Sequence, residues 1–343
     1  TDNWLFSNFI SNSRYIDKQN METKKHVTAC LLIGLLSIAY LPNAARASEQ
    51  SGKKKMKVEI TEGQIDVISN IIYSQVTLRN ANRPLKMTLL VPRTQEAKPA
   101  IVYYPGGGFT SANHEKFIEM RMALAKAGFV VAAAEYRTVP DRYPALINDA
   151  KAAVRYLRAH ARQFGIDPQR IGVIGDSAGG YVAQMMGTTN GENQFDTGDF
   201  TEVSSDVQAA VTIYGISNLM NIGEGYPEAI QEVHKSPAVT EALLIHGPAF
   251  ADFAGESILS DPQKALEASP IGHIKQGMPP FLIMHGSADK LVSPVQSEQF
   301  YRALTEKGNQ ADFIEVEGAG HGDLYWFQPA VIDKVVRWFK EQL

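Results

Sequence analysis

The stretch that decides the fold is residues 171–180, Ile-Gly-Val-Ile-Gly-Asp-Ser-Ala-Gly-Gly. Its first half is typical of a short buried strand, and the residues that follow, Tyr181 to Gly187, are predicted to form a helix. Gly175 and Gly179 stand two residues on either side of Ser177, which is the G-x-S-x-G pattern of a nucleophile elbow. Such a turn leaves no room for a Cβ at either glycine, and it presents the serine hydroxyl at a helix N-terminus, where negative charge is stabilised.

A second glycine cluster, Gly106 to Gly108, follows the predicted strand Ala100 to Tyr104. Consecutive glycines let backbone N–H groups approach a substrate closely, and together with the N–H of Ala178 they could donate hydrogen bonds to a tetrahedral oxyanion. A phosphate-binding loop would instead end in G-K-[ST], and a dinucleotide site would need G-x-G-x-x-G with an acid about 20 residues on. Neither pattern is present, so oxyanion binding is favoured.

A serine nucleophile needs a base, and the base needs an acid that orients it. Asp289 follows the predicted strand Phe281 to His285, and His321 follows the predicted strand Asp312 to Val316. The chain order Ser, Asp, His and the position of each residue after a strand are those of one known arrangement of the catalytic triad. We therefore predict Ser177, Asp289 and His321 as the catalytic residues.

The remaining histidines and the cysteine content point to no other chemistry. His285 is predicted to be a packing or hydrogen-bonding residue, and no pair of histidines has spacing persuasive for a metal. A single cysteine, Cys30, rules out an intramolecular disulfide framework and a Cys-rich zinc site. We predict no metal and no cofactor.

Short apolar runs alternate with amphipathic helical segments along most of the chain. This alternation predicts an α/β fold with a mainly parallel sheet, and two early strands without an intervening helix predict an antiparallel edge. The helices should cover both faces of the sheet.

One insertion, at about residues 221–269, is longer than an ordinary connection and could form helices at Pro227 to His234 and Pro262 to Ala268. It is either a lid or binding segment or a small structural insertion. The predicted strands are Ile71 to Leu78, Leu85 to Val91, Ala100 to Tyr104, Phe129 to Glu135, Ile171 to Gly175, Val207 to Tyr214, Phe281 to His285 and Asp312 to Val316; the predicted helices outside the insertion are Glu115 to Ala127, Ala145 to Arg162, Tyr181 to Gly187, Pro294 to Lys307 and Ala330 to Gln342.

The N-terminal 47 residues are predicted to lie outside the folded domain and to include a signal peptide. Residues 21–47 combine Lys24 and Lys25, the apolar stretch Val27 to Leu41 and Ala45-Arg46-Ala47, the three parts of a secretory signal peptide. The apolar stretch is shorter than the roughly 20 residues that span a bilayer, so we expect no stable membrane anchor, although an uncleaved anchor is the alternative. Cys30 lies near the start of the apolar stretch, whereas a lipoprotein cysteine lies at its end. We expect residues 1–20 to be an upstream extension outside the fold, residues 48–343 to form a single domain, and the protein to be periplasmic or secreted.

Composition excludes several classes of protein. The 343 residues are 44% hydrophobic and 20% charged, which is ordinary for a globular protein and excludes disorder, collagen and coiled coil. With 33 basic and 37 acidic residues, the formal net charge is −4. No global charge favours nucleic acid or anionic lipid, so we predict no nucleic-acid partner.

The motifs resemble the α/β-hydrolase superfamily, in particular the hormone-sensitive-lipase-like esterases and the bacterial acetylxylan and feruloyl esterases. The resemblance covers about Tyr73 to Leu343. It implies that Ser177 is the nucleophile, Asp289 the acid and His321 the base, and it places Gly107, Gly108 and Ala178 at the oxyanion hole. The chain departs from the family at Pro105, where a histidine usually precedes the glycines. The stretches that carry the resemblance are Pro105 to Phe109, Glu135 to Arg137 with Pro140 and Tyr143 to Ala145, Gly175 to Gly180, His285 to Asp289 and Gly318 to His321.

The function expected from this sequence is an exported serine carboxylesterase acting on short acyl or aromatic esters. The resemblance suggests acetyl or feruloyl groups on plant polysaccharides, so the partner would be a small-molecule or oligosaccharide ester. Because the fold hosts other activities, a serine peptidase or amidase with the same triad and a non-catalytic binding relative stay open as alternatives.

Overall fold

An eight-stranded sheet organises the protein in the computed structural model, which describes residues 54–77 and 81–343. The strand order is β1-β2-β4-β3-β5-β6-β7-β8. β1 pairs with β2 and β2 with β4 in antiparallel fashion, whereas all other neighbours are parallel. The predicted mainly parallel sheet with an antiparallel edge is confirmed. The strands are β1 (Ile65–Thr77), β2 (Asn82–Pro92), β3 (Lys98–Tyr104), β4 (Val130–Ala134), β5 (Ile166–Asp176), β6 (Ala209–Ile213), β7 (Phe281–Gly286) and β8 (Ala311–Val316).

Helices cover both faces of this sheet, as predicted. Alternate residues of β3 enter different cores, because successive side chains of a strand point to opposite faces. Val102 packs in a core with residues of α2, α4 and α8, whereas Ile101 packs in a core with residues of α1 and α9. The helices are α1 (Ile118–Lys126), α2 (Ala145–Ala159), α3 (Ala161–Phe164), α4 (Ala178–Thr188), α5 (Glu228–Val233), α6 (Thr240–His246), α7 (Pro262–Glu267), α8 (Val295–Glu306) and α9 (Pro329–Gln342).

Several predicted boundaries were wrong. β1 begins at Ile65 and β5 at Ile166, upstream of the apolar runs by which they were predicted, because both strands begin with mixed, partly exposed residues that form no apolar run. The helix predicted to run from Ala145 to Arg162 is divided at His160 into α2 and α3. The helix predicted to begin at Glu115 begins at Ile118, after Phe117 adopts a left-handed conformation with φ 56°.

The two ends of the insertion between β6 and β7 are hydrogen-bonded to each other. The Leu219 N–H donates to Ser269 Oγ at 3.0 Å, and the Ile271 N–H donates to the Ser217 carbonyl at 3.1 Å. The two helices predicted within the insertion are present as α5 and α7, and α6 is an additional helix that the sequence pattern did not reveal. Tyr226, near its start, donates its hydroxyl hydrogen bond to the Asp289 carbonyl at 3.2 Å, so the insertion contacts the loop after β7.

Residues Glu59–Leu343 form one compact unit. Across residues 54–77 and 81–343, no helix has the length and apolar character to cross a membrane. The predicted upstream extension (residues 1–20) and signal peptide (residues 21–47) lie outside the described residues.

Candidate active site

The turn between β5 and α4 holds Ser177 in a strained conformation. Its φ is 54° and its ψ is −120°, outside the regions that a non-glycine residue usually adopts. The Ser177 N–H is fixed by a hydrogen bond of 3.0 Å to the Ile213 carbonyl of β6. A Cβ at Gly175 would overlap the Gly179 carbonyl, and a Cβ at Gly179 would overlap the Tyr104 carbonyl at the end of β3. The two glycines therefore allow β5, α4 and β3 to meet directly behind Ser177.

Replacing Gly179 with alanine is expected to destabilise the fold by about 3 kcal/mol or more, because the new methyl group overlaps backbone that side-chain motion cannot move. Urea unfolding measures this loss. Gly63→Ala is the matched control, since nothing lies within 4 Å of a Cβ at Gly63, and its expected change is within about 0.5 kcal/mol. Equal unfolding midpoints for both variants would contradict the close packing of Gly179 against Tyr104.

Three side chains from separate loops form one hydrogen-bonded chain. His321 Nε2 lies 2.9 Å from Ser177 Oγ, and His321 Nδ1 lies 2.8 Å from Asp289 Oδ2. The residues follow β5, β7 and β8, whose carboxyl ends meet at one edge of the sheet. The structure thus brings together the three residues that the sequence singled out, in an arrangement that suits proton transfer from Ser177 to His321.

The Asp289 carboxylate is buried but well supported. Its Oδ1 accepts hydrogen bonds from the N–H groups of Leu291 at 2.8 Å and Val292 at 3.0 Å. Burial alone would raise the pKa of Asp289, but hydrogen bonds from His285 and His321 and the Leu291 N–H outweigh it and hold the pKa well below its ordinary value. The carboxylate is therefore ionised at neutral pH, ready to stabilise a protonated His321.

His285 is a second histidine in contact with Asp289. Its side chain is fully buried, and its Nε2 lies 3.0 Å from the Val292 carbonyl and 3.3 Å from Asp289 Oδ2. Because a carbonyl only accepts, Nε2 carries the proton, and Nδ1 accepts from the Ser297 hydroxyl at 2.7 Å. The prediction that His285 is a hydrogen-bonding residue is confirmed, whereas its contact with the acid could not be read from the sequence.

The loop after β3 presents its carbonyl groups to fixed partners. The Pro105 carbonyl accepts from the Tyr136 hydroxyl at 2.6 Å, and the Gly106 N–H donates to Asp176 Oδ1 at 3.0 Å. The Gly107 carbonyl accepts from the N–H groups of Thr110 at 3.0 Å and Ser111 at 3.1 Å. These contacts hold the loop although Pro105 replaces the usual histidine.

The N–H groups of Gly107 and Gly108 in this loop have no partner among residues 54–77 and 81–343. The loop lies against the nucleophile, since a Cβ at Gly106 would lie 3.0 Å from Ser177 Cβ. Ala178 opens α4, so its N–H has no partner within the helix. The three N–H groups predicted for an oxyanion hole thus lie on two segments that meet at Ser177, the loop after β3 and the start of α4.

Aromatic residues that the sequence did not single out support His321. The Tyr214 ring lies 4.5 Å from the His321 ring, centroid to centroid, and Tyr214 packs edge-on against Trp326. Trp326 Nε1 donates to the Gly320 carbonyl at 2.7 Å, directly before His321. Burial raises the pKa of Tyr214 well above its ordinary value, so its phenol stays protonated beside the histidine.

Four of the other histidines pair with glutamates. His114 lies 3.4 Å from Glu115. His234 lies 2.5 Å from Glu241, His246 lies 3.2 Å from Glu256 and His273 lies 3.0 Å from Glu192. In the part of the chain that the structure describes, no group of three or more His, Cys, Asp or Glu residues could hold a metal ion.

The sheet, the elbow at its centre and the three loop residues at its carboxyl edge define the α/β-hydrolase class. The chain belongs to the BD-FAE family, whose profile matches residues 87–304. This match includes Ser177 and Asp289 and ends before His321.

Individual proteins similar to this chain are named as esterases or ester hydrolases. The chain is 30% identical over 215 residues to the probable carboxylic ester hydrolase LipM of Mycobacterium tuberculosis, an alignment that covers 62% of this chain and 46% of LipM. The chain spans about half the length of the curated relatives it matches.

Solved structures share the fold over nearly their whole length. A truncated carbohydrate esterase from gut microbiota is similar with a TM-score of 0.70 and 26% identity, over 83% of this chain and 99% of the other. Thermogutta terrifontis esterase 2, solved in a form phosphoramylated by tabun, gives a TM-score of 0.59 and 25% identity, over 83% of this chain and 94% of the other.

Proposed function

We propose that this protein is a serine carboxylesterase in which Ser177 is the nucleophile, His321 the general base and Asp289 the orienting acid. The observation that carries the proposal is the continuous chain from Ser177 Oγ through both nitrogens of His321 to Asp289 Oδ2, with steps of 2.9 and 2.8 Å. The esterases among its relatives support the choice of an ester as the substrate.

The geometry supports a two-step acyl transfer. Ser177 Oγ attacks the ester carbonyl carbon while His321 Nε2 accepts the hydroxyl proton, and the carbonyl electrons move onto the oxygen. As the tetrahedral intermediate collapses, the ester bond breaks and His321 returns the proton to the departing alcohol. Water then attacks the acyl-serine with the same base, releasing the carboxylic acid and restoring the Ser177 hydroxyl.

The N–H groups of Gly107, Gly108 and Ala178 would bind the negatively charged oxygen of both tetrahedral intermediates. Each donor of this kind commonly contributes about 2.7–4 kcal/mol to the transition state. Because the donors belong to the backbone, Pro105 removes none of them. Asp289 holds the proton of His321 on Nδ1, which leaves Nε2 free to accept the proton of Ser177.

The proposed substrates are short acyl or aromatic esters, in particular acetyl or feruloyl groups on plant polysaccharides. The similarity to a carbohydrate esterase from gut microbiota supports this class. Residues 21–47 have the pattern of a signal peptide, so we propose that the enzyme is periplasmic or secreted, where it would meet polysaccharide fragments.

The wild-type protein is expected to hydrolyse p-nitrophenyl acetate and to lose this activity on reaction with one equivalent of a fluorophosphonate. Peptide mass spectrometry should place the phosphonate on Ser177, because His321 activates that hydroxyl. Labelling of another residue with full loss of activity would contradict the assignment of the nucleophile, and absence of turnover with every ester tried would contradict the proposed function.

A panel of substrates separates the chemical classes. Acetylated xylan, a feruloyl ester and an aminoacyl anilide should be compared at equal enzyme concentration. Preferential release of acetate or ferulate would support the proposed ester class, whereas faster cleavage of the anilide would identify a peptidase or amidase instead.

A further inference from the structure

Lys116 lies near the end of the connection between β3 and α1, and its side chain contacts the glycines at the start of that connection. Lys116 Nζ donates to the Gly106 carbonyl at 3.2 Å. That carbonyl and the Gly107 N–H belong to the same peptide group, which is planar and trans and therefore points its C=O and N–H in opposite directions. A cation that holds the Gly106 carbonyl on one side of the loop thus turns the Gly107 N–H to the other side.

The backbone of Lys116 is itself fixed. The Arg121 guanidinium is only 2% exposed and donates to the carbonyls of Lys116 at 2.8 Å and Glu115 at 2.6 Å. A buried cation bound to backbone carbonyls anchors the segment that enters α1. The side chain of Lys116 therefore reaches Gly106 from the far end of the same connection, where Arg121 of α1 holds the backbone.

We propose that Lys116 is a positioning residue of the oxyanion hole, which orients and polarises the Gly106–Gly107 peptide so that the Gly107 N–H faces the reacting carbonyl oxygen. This inference rests on the proposed function. A hydrogen bond from an ammonium group to a carbonyl is stronger than one between neutral groups. It also polarises the peptide group that contains the carbonyl, so the N–H on the opposite side becomes a better donor. Lys116 makes no contact with substrate in this role and acts through the backbone.

The other carbonyls of the loop are held by neutral donors, from Tyr136 at Pro105 and from the backbone N–H groups of Thr110 and Ser111 at Gly107. At Gly106, in contrast, the carbonyl accepts its hydrogen bond from a charged side chain, that of Lys116. No sequence pattern indicates this role, because Lys116 is an exposed lysine in a polar segment and only the fold shows what its ammonium group contacts.

The test compares Lys116→Met, Lys116→Arg and the control Lys126→Met, all measured beside the wild type and Ser177→Ala. Lys126 is also a lysine of this region, at the end of α1, but it pairs with Glu62 at 3.1 Å and not with the loop after β3. The measurements are kcat and KM for p-nitrophenyl acetate, the inhibition constant of phenylboronic acid, whose adduct on serine is tetrahedral, and the thermal unfolding midpoint.

Lys116→Met is expected to lower kcat about 10-fold and to weaken boronate inhibition by a similar factor, a fraction of the loss seen when an oxyanion donor is removed outright. KM should stay within about twofold, since the interaction strengthens in the transition state. The unfolding midpoint should stay within about 2 °C, because an exposed side chain is removed. Lys116→Arg should recover most of the activity, and Lys126→Met should match the wild type.

Wild-type kcat and boronate affinity in Lys116→Met would overturn this inference while leaving the proposed function intact. A loss of activity that follows the unfolding midpoint, with unchanged boronate affinity, would overturn it too, because it would show a structural role alone. If the wild type has no more activity than Ser177→Ala, the proposed function fails and the inference fails with it.

Discussion

Replacing Ser177 with alanine is expected to lower kcat for p-nitrophenyl acetate by about 10⁴- to 10⁶-fold. The substitution removes the atom that forms the acyl-enzyme, and His321 then has no hydroxyl to activate. A residual rate above that in water is expected, since the N–H groups of the oxyanion hole stay in place. The measurement is the initial rate at saturating substrate, corrected for spontaneous hydrolysis.

The backbone around Ser177 makes this variant easy to interpret. The strained φ of 54° is set by Gly175, Gly179 and the bond to Ile213, none of which involves the hydroxyl group. The variant should therefore unfold within about 1 kcal/mol of the wild type. Ser260→Ala is the control, since Ser260 is an exposed serine whose hydroxyl contacts Glu256. More than about 1% of wild-type kcat in Ser177→Ala would contradict a covalent mechanism at this residue.

Replacing Asp289 with asparagine is expected to lower kcat by about 10⁴-fold with little change in the fold. The amide nitrogen can donate to His321 Nδ1, which moves the histidine proton to Nε2 and leaves no lone pair there for the Ser177 proton. The variant also loses the charge that stabilises protonated His321. Asp333→Asn, on the exposed side of α9, removes a charge of the same sign and should keep wild-type kcat.

The same variant predicts a change in the pH dependence of stability. Because the folded-state pKa of Asp289 is lowered, its ionised form contributes stability that is fully present above the unfolded pKa of about 3.9 and is lost as pH falls below it. The difference in unfolding free energy between wild type and Asp289→Asn should therefore be constant from pH 7 to about pH 5 and shrink as pH falls below about 4, as measured by urea unfolding. A difference that grows on acidification would contradict the lowered pKa.

Local sequence signals were enough to predict the strand–turn–helix around Ser177 and the positions of Asp289 and His321. Each lies directly after an apolar run, and in a parallel sheet the carboxyl ends of such runs share one edge. Gly175 and Gly179 indicated a turn in which neither position has room for a Cβ. The order of strands and helices along the chain was therefore enough to predict that Ser177, Asp289 and His321 lie close together.

Supporting contacts could not be predicted, because they join residues that no spacing rule relates. His285 contacts Asp289 only because the loop after β7 folds back onto its own strand, and the Tyr136 hydroxyl reaches Pro105 only because β4 lies beside β3. The helix α6 within the insertion was missed for a similar reason. It is a short helix that packs on the segment before α2, where the Tyr143 N–H donates to the Leu244 carbonyl at 2.9 Å.

The hydrogen bonds that join the two ends of the insertion have a consequence for how the protein can be altered. Since Ser217 and Leu219 at its start are bonded to Ile271 and Ser269 at its end, a segment of different length could be transplanted between them without changing the register of β6 and β7. The replacement would have to keep Tyr226, which contacts the loop that carries Asp289. It would also have to supply apolar groups in place of Leu244, Ile245 and Ile258, which are buried in the same core as Val102 of β3. Chimaeras built at these two junctions would therefore vary the insertion while Ser177, Asp289 and His321 stay in place, and would show how far the proposed reaction depends on this segment.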